Sequence, residues 1–302
     1  MKITLVAPKS ISEGEFRFDY GYWNFYLPLL SMGHDVHFFD TTKLGNKDLK
    51  VHIDNFKPEL LFCIMTDSPY YCPDEPWETI EEETNKGNIK TFNWFCDDSW
   101  RFNNFSSKAC HVFNHCSTPE KRFVDKYEEI GYSNIQYAPW HANSEIYSSL
   151  PNESIEYNVS FIGALRGDRE RAIKVLKSKG HEVYTPTDTS IESMVSTYSS
   201  SFASLNFSKN STNMGTQMKA RMFEVPATGS LLITEYTRDL ENCYDIGKDI
   251  ITFSTEDQLL DIIGDMQYYP EKYKNIAKRG YERFLKDHDS KVRLAQVLEN
   301  IK

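Results

Sequence analysis

The sequence has no run of apolar residues approaching the ~18 that a membrane-spanning helix requires, so no membrane span is expected. The apolar stretch inside the opening "MKITLVAPKS" is too short for a secretory core and reads as a first strand. An excess of positive charge is missing too. Lys and Arg number 34 against 44 Asp and Glu, a formal net charge of -10. That argues against a general polyanion-binding surface and leaves room only for a local basic cleft. Six cysteines, Cys63, Cys72, Cys96, Cys110, Cys116 and Cys243, are too few and too scattered to staple 302 residues. Several lie in apolar strand-like runs and read as buried thiols of a reducing compartment, so a cytoplasmic location is expected. There is no repeat at solenoid spacing, no low-complexity tract, no G-x-G-x-x-G and no Walker lysine motif.

What is present is a globular composition, 40% hydrophobic and 26% charged, long enough for one large domain or two ordinary ones. The first half alternates apolar runs with helical patterns. Strands are expected at "ITLVAP" (from Ile3), "DVHFFDT" (from Asp35), "ELLFCIMT" (from Glu59), "KTFNWFCDD" (from Lys90), "HVFNHCST" (from His111) and "IQYAPW" (from Ile135). Near-continuous apolar runs mark strands covered on both faces, as in parallel sheets. A polar stretch, "HANSEIYSSLPNESIEY", then reads as a linker. The alternation restarts at "YNVSFIGALRG" and continues through "HEVYTP", "ASLNFSK", "SLLITE" and "DIITFS" before the C-terminus turns helical. Two α/β units with right-handed crossovers suggest two Rossmann-like domains facing a cleft.

Two stretches of the second half invite a ligand. In "FIGALRGDRERAIKVL" a strand meets Gly163, a loop with Arg166 and Gly167, and a helix. A glycine and a helix N-terminus together suit a phosphate, although an ordinary strand-to-helix turn has the same pattern. In "NFSKNSTNMGTQMKARMFEVPATG" a hydroxyl-rich loop enters a helix expected from Thr216 or Gln217. Arg221 and Glu224 lie one turn apart on one face. Lys219, near the helix start, is unfavourable for the dipole unless an anion is bound. A surface ion pair ahead of a buried strand would give the same spacing.

These segments, with "KARMFEVPATGSLLITE", "IGKDIITFSTEDQLLDII" and "IAKRGYERFLKDHDSKVRL" in order behind them, resemble the C-terminal domain of GT-B glycosyltransferases. The spore-maturation (CgeB-like) branch is the most similar, and "WFCDDSWRF" and "YAPWHANSEIY" extend the likeness to the first half. The resemblance implies an α/β GT-B architecture with an acceptor-side domain over 1–142, a donor domain over 143–285, and a helix over 286–302 returning to the first. It implies metal-independent transfer from a nucleotide-diphosphate sugar to an acceptor hydroxyl, with no permanently bound cofactor and no metal. Glu224 would hold the donor ribose. Arg221 and Lys219 would face the diphosphate, with Gly163 and Arg166 on the other side of that site. Retaining members often carry a second glutamate where this chain has Thr216, which leaves the stereochemical course open.

Candidate bases are Asp97 and Asp98, at the end of a strand, and Asp19 in the loop after the first strand. Asp97 and Asp98 fit equally a helix N-cap with a structural carboxylate. The loop around Asp19 is aromatic, with Phe16, Phe18, Tyr20, Tyr22 and Trp23. "CHVFNHC" does not suit zinc, because on a strand its cysteines and histidines would face opposite sides. A phage-type transfer to a hydroxylated DNA base would need a basic cleft, for which Lys9, Arg17, Arg101, Lys108 and Arg122 are the N-terminal candidates. An epimerase on the same scaffold would act on the nucleotide sugar alone, and a non-catalytic binder would bind donor without turnover.

Overall fold

A computed structural model describes residues 1–10, 19–148, 154–212 and 214–301. Phe16, Arg17 and Phe18 lie outside the described residues. The chain divides into two units, one of Met1–Pro139 with Ser290–Lys302, the other of Trp140–Asp289.

In the first unit β1 (Lys2–Ala7), β2 (Asp35–Asp40), β3 (Leu60–Cys63), β4 (Lys90–Trp94), β5 (His115–Thr118) and β6 (Ile135–Tyr137) form one parallel sheet. Its order is β2-β1-β3-β4-β5-β6. The connections carry α1 (Leu27–Ser31), α2 (Asn46–Phe56), α3 (Trp77–Lys86), α4 (Asp98–Arg101), α5 (Ser107–Ala109) and α6 (Val124–Glu129). The central strands are apolar because they are covered on both faces: Ile3 to Ala7 and Leu60 to Cys63 are buried throughout. The sequence places a strand from His111, but Cys110–Val112 is a 3-10 turn and the strand starts only at His115. Cys110 and Cys116 are both buried, and the Cys116 thiol is directed at the Cys110 carbonyl. The turn, and not opposed strand faces, therefore sets how this stretch is arranged.

In the second unit β7 (Tyr157–Ser160), β8 (Ser201–Asn206), β9 (Leu231–Glu235) and β10 (Ile251–Phe253) pair in parallel in the order β10-β9-β8-β7. Around them run α7 (Asp168–Ser178), α8 (Ile191–Ser199), α9 (Arg221–Ala227), α10 (Glu256–Tyr268) and α11 (Pro270–Asp287). "HEVYTP" forms no strand of this sheet and contributes a single parallel bridge from Tyr184 to Ser160. Its ring stacks on Tyr157 with centroids 3.9 Å apart. The last helix, α12 (Ser290–Ile301), returns to the first unit. There Leu294, Val297, Leu298 and Ile301 join the core under β1, β3 and β4. No helix among the described residues is long and apolar enough to cross a membrane.

Helix α11 approaches backbone closely at Gly280, where an added Cβ would stand 2.4 Å from the Asp249 carbonyl oxygen. Overpacking of this kind costs about 1–3 kcal/mol. A backbone carbonyl cannot rotate aside, so the cost outweighs the ~1 kcal/mol by which alanine is the better helix former. Gly280→Ala should therefore lower the thermal midpoint in a circular-dichroism melt. An unchanged or raised midpoint would show that the contact relaxes freely.

Candidate functional site

The second sheet reverses its direction of winding between β7 and β8. From β7 the chain passes through α7 to Tyr184, on the outer side of β7, and then crosses to β8 on the inner side. In α/β sheets ligands bind outside the carboxyl ends of the strands at such a reversal. Two loops leave there, residues 161–167 after β7 and 207–220 after β8.

The first loop meets α9 at Gly163. Its φ is +149°, and an added Cβ would lie 2.9 Å from Arg221 Nη2. Any side chain would be both strained and in the way. Arg221 also stands over the Phe161 ring, 5.8 Å from its centroid. Arg169, half-buried in the first turn of α7, has its pKa lowered by burial, then by the charges of Arg221 and Arg166, against an upward pull from Glu235. Guanidinium groups keep their charge in proteins, so this shift marks the cost of a partly buried Arg169, increased by repulsion from Arg221 and Arg166. An anion placed among them would relieve it. Gly163, Arg166 and Arg221 are thus brought together. Arg169 is the member that sequence reasoning missed, and its spacing from Arg166 in "LRGDR" was the available signal.

Helix α9 starts at Arg221, later than the Thr216 or Gln217 expected from sequence. The reason is that residues 208–217 close on themselves. Lys209 bridges Thr216, Asn210 N–H bonds Gly215 O at 2.8 Å, and Gln217 N–H bonds Ser208 O at 2.9 Å. Thr216 accepts from the Thr237 hydroxyl at 2.9 Å. Lys219 therefore precedes the helix, and its ammonium donates to the Lys209 carbonyl at 2.7 Å, bracing the loop. The N-terminus of α7 already carries Asp168 and Glu170, and Asp168 is paired with Lys209 and Arg171.

Glu224 is largely covered, 5% exposed, within a helix whose residues Met222 to Ala227 are all buried. Tyr147 donates its hydroxyl to Glu224 Oε1 at 3.0 Å. Burial pushes the Glu224 carboxyl up, while Arg221 and the Tyr147 bond pull it down. Tyr198 completes the group: its phenol is pushed up by burial and by Glu224, with Arg221 opposing.

The three candidate bases belong to the first unit. Asp19, Asp97 and Asp98 all bear on the Cys96 thiol, which burial chiefly holds well above its ordinary pKa. Asp98 is turned into the core. It accepts from Ser106 Oγ at 2.5 Å and from the Tyr127 hydroxyl at 3.1 Å. Burial nevertheless raises its pKa to about 6. Asp97 stands at the N-cap position of α4, where its side chain makes no cap bond. Asp19, partly exposed, is likewise raised to about 6 by burial, against a 2.6 Å bond from the Tyr20 N–H.

Residues 150–299 match a family model described as Glycosyl transferase-like. No curated protein matches the chain. Among solved structures, a sucrose-phosphate synthase from Thermosynechococcus elongatus is similar at a TM-score of 0.67 and 9% identity, covering 99% of this chain and 98% of that one. The Anabaena protein HepE, solved in complex with UDP and glucose, is similar at a TM-score of 0.68 and 10% identity, over 100% of this chain and 99% of its own. A glycosyltransferase from Rickettsia africae is similar at 0.63 and 10% identity, over 100% and 97%. The fold is the GT-B fold.

Asp98 gives a pH prediction. Its pKa in the folded protein, about 6, exceeds the ordinary aspartate value of 3.8. The folded state therefore binds the proton more tightly, and stability falls as pH rises through that window. Between pH 5 and pH 7 this one group should account for a loss of about 1 kcal/mol. Asp98→Asn should remove that part of the loss in urea titrations at the two pH values. An unchanged difference would mean that Asp98 is ionised throughout.

Proposed function

We propose that this protein transfers a sugar from a nucleotide-diphosphate sugar to an acceptor hydroxyl. The observation that carries this is a grouping of cations at the winding reversal of the second sheet: Arg221 reaches over Gly163, and half-buried Arg169 feels the charges of Arg221 and Arg166. Cations grouped there suit a diphosphate, and they would stabilise it as the leaving group. Positive side chains then supply the charge neutralisation that a divalent cation supplies elsewhere, so transfer is proposed to be metal-independent. Glu224, beside Arg221, would accept from the vicinal hydroxyls of the ribose. The Glycosyl transferase-like match over the second unit, and the UDP and UDP-glucose complexes of HepE, support a donor of this kind. The segment order that resembles the spore-maturation branch supports that finer placement. The first unit would hold the acceptor. With Asp98 committed to the core, the base role falls to Asp19 or Asp97. Asp19, raised to about 6, is the better matched to proton transfer near neutral pH.

A thermal-shift panel of nucleoside diphosphates and nucleotide sugars, run with and without EDTA, tests the donor site. A ligand at about 100 times its Kd should add ~2.7 kcal/mol of stability, with or without the chelator. Arg169→Ala should weaken that ligand about tenfold or more, as expected for a charged hydrogen bond. Glu224→Gln should weaken the nucleotide but leave inorganic pyrophosphate unaffected. No stabilisation by any nucleotide would end the donor reading. Asp19→Asn should reduce acceptor-dependent turnover by about 10²–10⁴-fold while leaving donor affinity intact. Full activity in that variant would transfer the base role away from Asp19.

A further inference from the structure

The first sheet also reverses its winding, between β1 and β3. The loop after β3, residues 64–76, stands at that reversal, between the loop that carries Asp19 and the one that carries Asp97. It is pinned at many points. Buried Glu75 accepts from the N–H groups of Thr66 at 2.7 Å and Asp67 at 2.8 Å, and from the Trp77 indole at 3.1 Å. Asn93 holds the Met65 N–H at 3.0 Å, and the Cys72 N–H bonds Ser68 O at 2.8 Å. This frame presents Tyr70, 86% exposed, and Tyr71, 50% exposed. Their rings meet edge to face, with centroids 4.9 Å apart and planes at 89°. A fixed loop is thus holding two aromatic faces in water at the crevice end of the sheet.

We propose that Tyr70 and Tyr71 seat the acceptor, and that the acceptor is a neutral saccharide. This rests on the glycosyl-transfer reading above. The C–H face of a pyranose carries partial positive charge and stacks on the negative face of an aromatic ring. Carboxylates accept from the hydroxyls at its rim, and Asp67 and Asp74 are exposed in the same loop. A nucleic acid would also stack on aromatic rings, but it needs cations for its phosphates. Between Lys57 and Lys86 the sequence holds no Lys, Arg or His. The loop itself therefore offers no cation to a phosphate and favours an uncharged sugar.

Saturation-transfer NMR on the full chain tests this with cellobiose, maltose, N,N′-diacetylchitobiose and a thymidine oligonucleotide as probes. At least one disaccharide should receive saturation on its ring protons. The double variant Tyr70→Ala/Tyr71→Ala should weaken that binding by about tenfold or more, the scale of one lost stacking contact. Tyr70→Phe/Tyr71→Phe, which keeps both ring faces, should retain it. Three outcomes would overturn the proposal: no disaccharide binds, binding survives the double alanine variant, or the oligonucleotide binds through the tyrosines instead. The UDP-induced thermal shift is read separately. Its absence in the unsubstituted protein would sink the donor reading and leave the saccharide result standing.

Discussion

Arg221 can stand where it does only because residue 163 has no side chain. The φ of +149° and the 2.9 Å approach at Gly163 let a loop of the first strand–helix unit close on the start of α9. That contact brings Arg221 within range of Arg166 and Arg169, and sets Glu224 one turn further along the same helix. Arg169 carries a cost of burial, increased by repulsion from Arg221 and Arg166. Glu235, which offsets part of it at Arg169, is itself engaged by the Ser208 N–H at 2.7 Å, and Glu224 interacts favourably with Arg221. Cations that the fold already holds in place are preorganised for an anion, since little has to rearrange when one arrives.

The net charge of -10 does not conflict with such a site. Fields are local: a few cations at the carboxyl end of one sheet can focus an anion into a protein that repels anions elsewhere. The same overall charge disfavours indiscriminate binding of nucleic acid.

Much of the fold was legible because its signals are local. Strands covered on both faces must be apolar along their length, and "ITLVAP", "ELLFCIMT" and "SLLITE" show this directly. That Arg221 and Glu224 share a helix face was legible from spacing, and the charge of Arg221 does act on the Glu224 carboxyl. What escaped depended on contacts between distant segments. Glu224 is covered, and its partner Tyr147 lies 77 residues away. Nothing near Lys219 announces that its ammonium serves the Lys209 carbonyl. The late start of α9 follows from a loop that closes on its own backbone, which a hydroxyl-rich composition permits but does not dictate. Asp97 and Asp98 look alike in "FCDDSW", yet Asp98 accepts from Ser106 and Tyr127 in the core while Asp97 stays at the helix start. Adjacent residues at a strand end point in different directions, so sequence can nominate the pair but not choose between its members.

Each of the two sheets has one winding reversal, and the chemistry at the two is opposite in sign. The reversal in the second sheet gathers cations, which suit the departing diphosphate of a donor. The reversal in the first gathers Asp19, Asp97 and the acidic, aromatic loop after β3, with no Lys, Arg or His in that loop. Transfer of a sugar divides in the same way: one reactant leaves as an anion, and the other must give up a proton to a base. A binder would need only the first set. An epimerase acting on the nucleotide sugar alone would have no use for the acceptor seat proposed at Tyr70 and Tyr71. The presence of both sets, each where its own sheet reverses, favours two substrates over one.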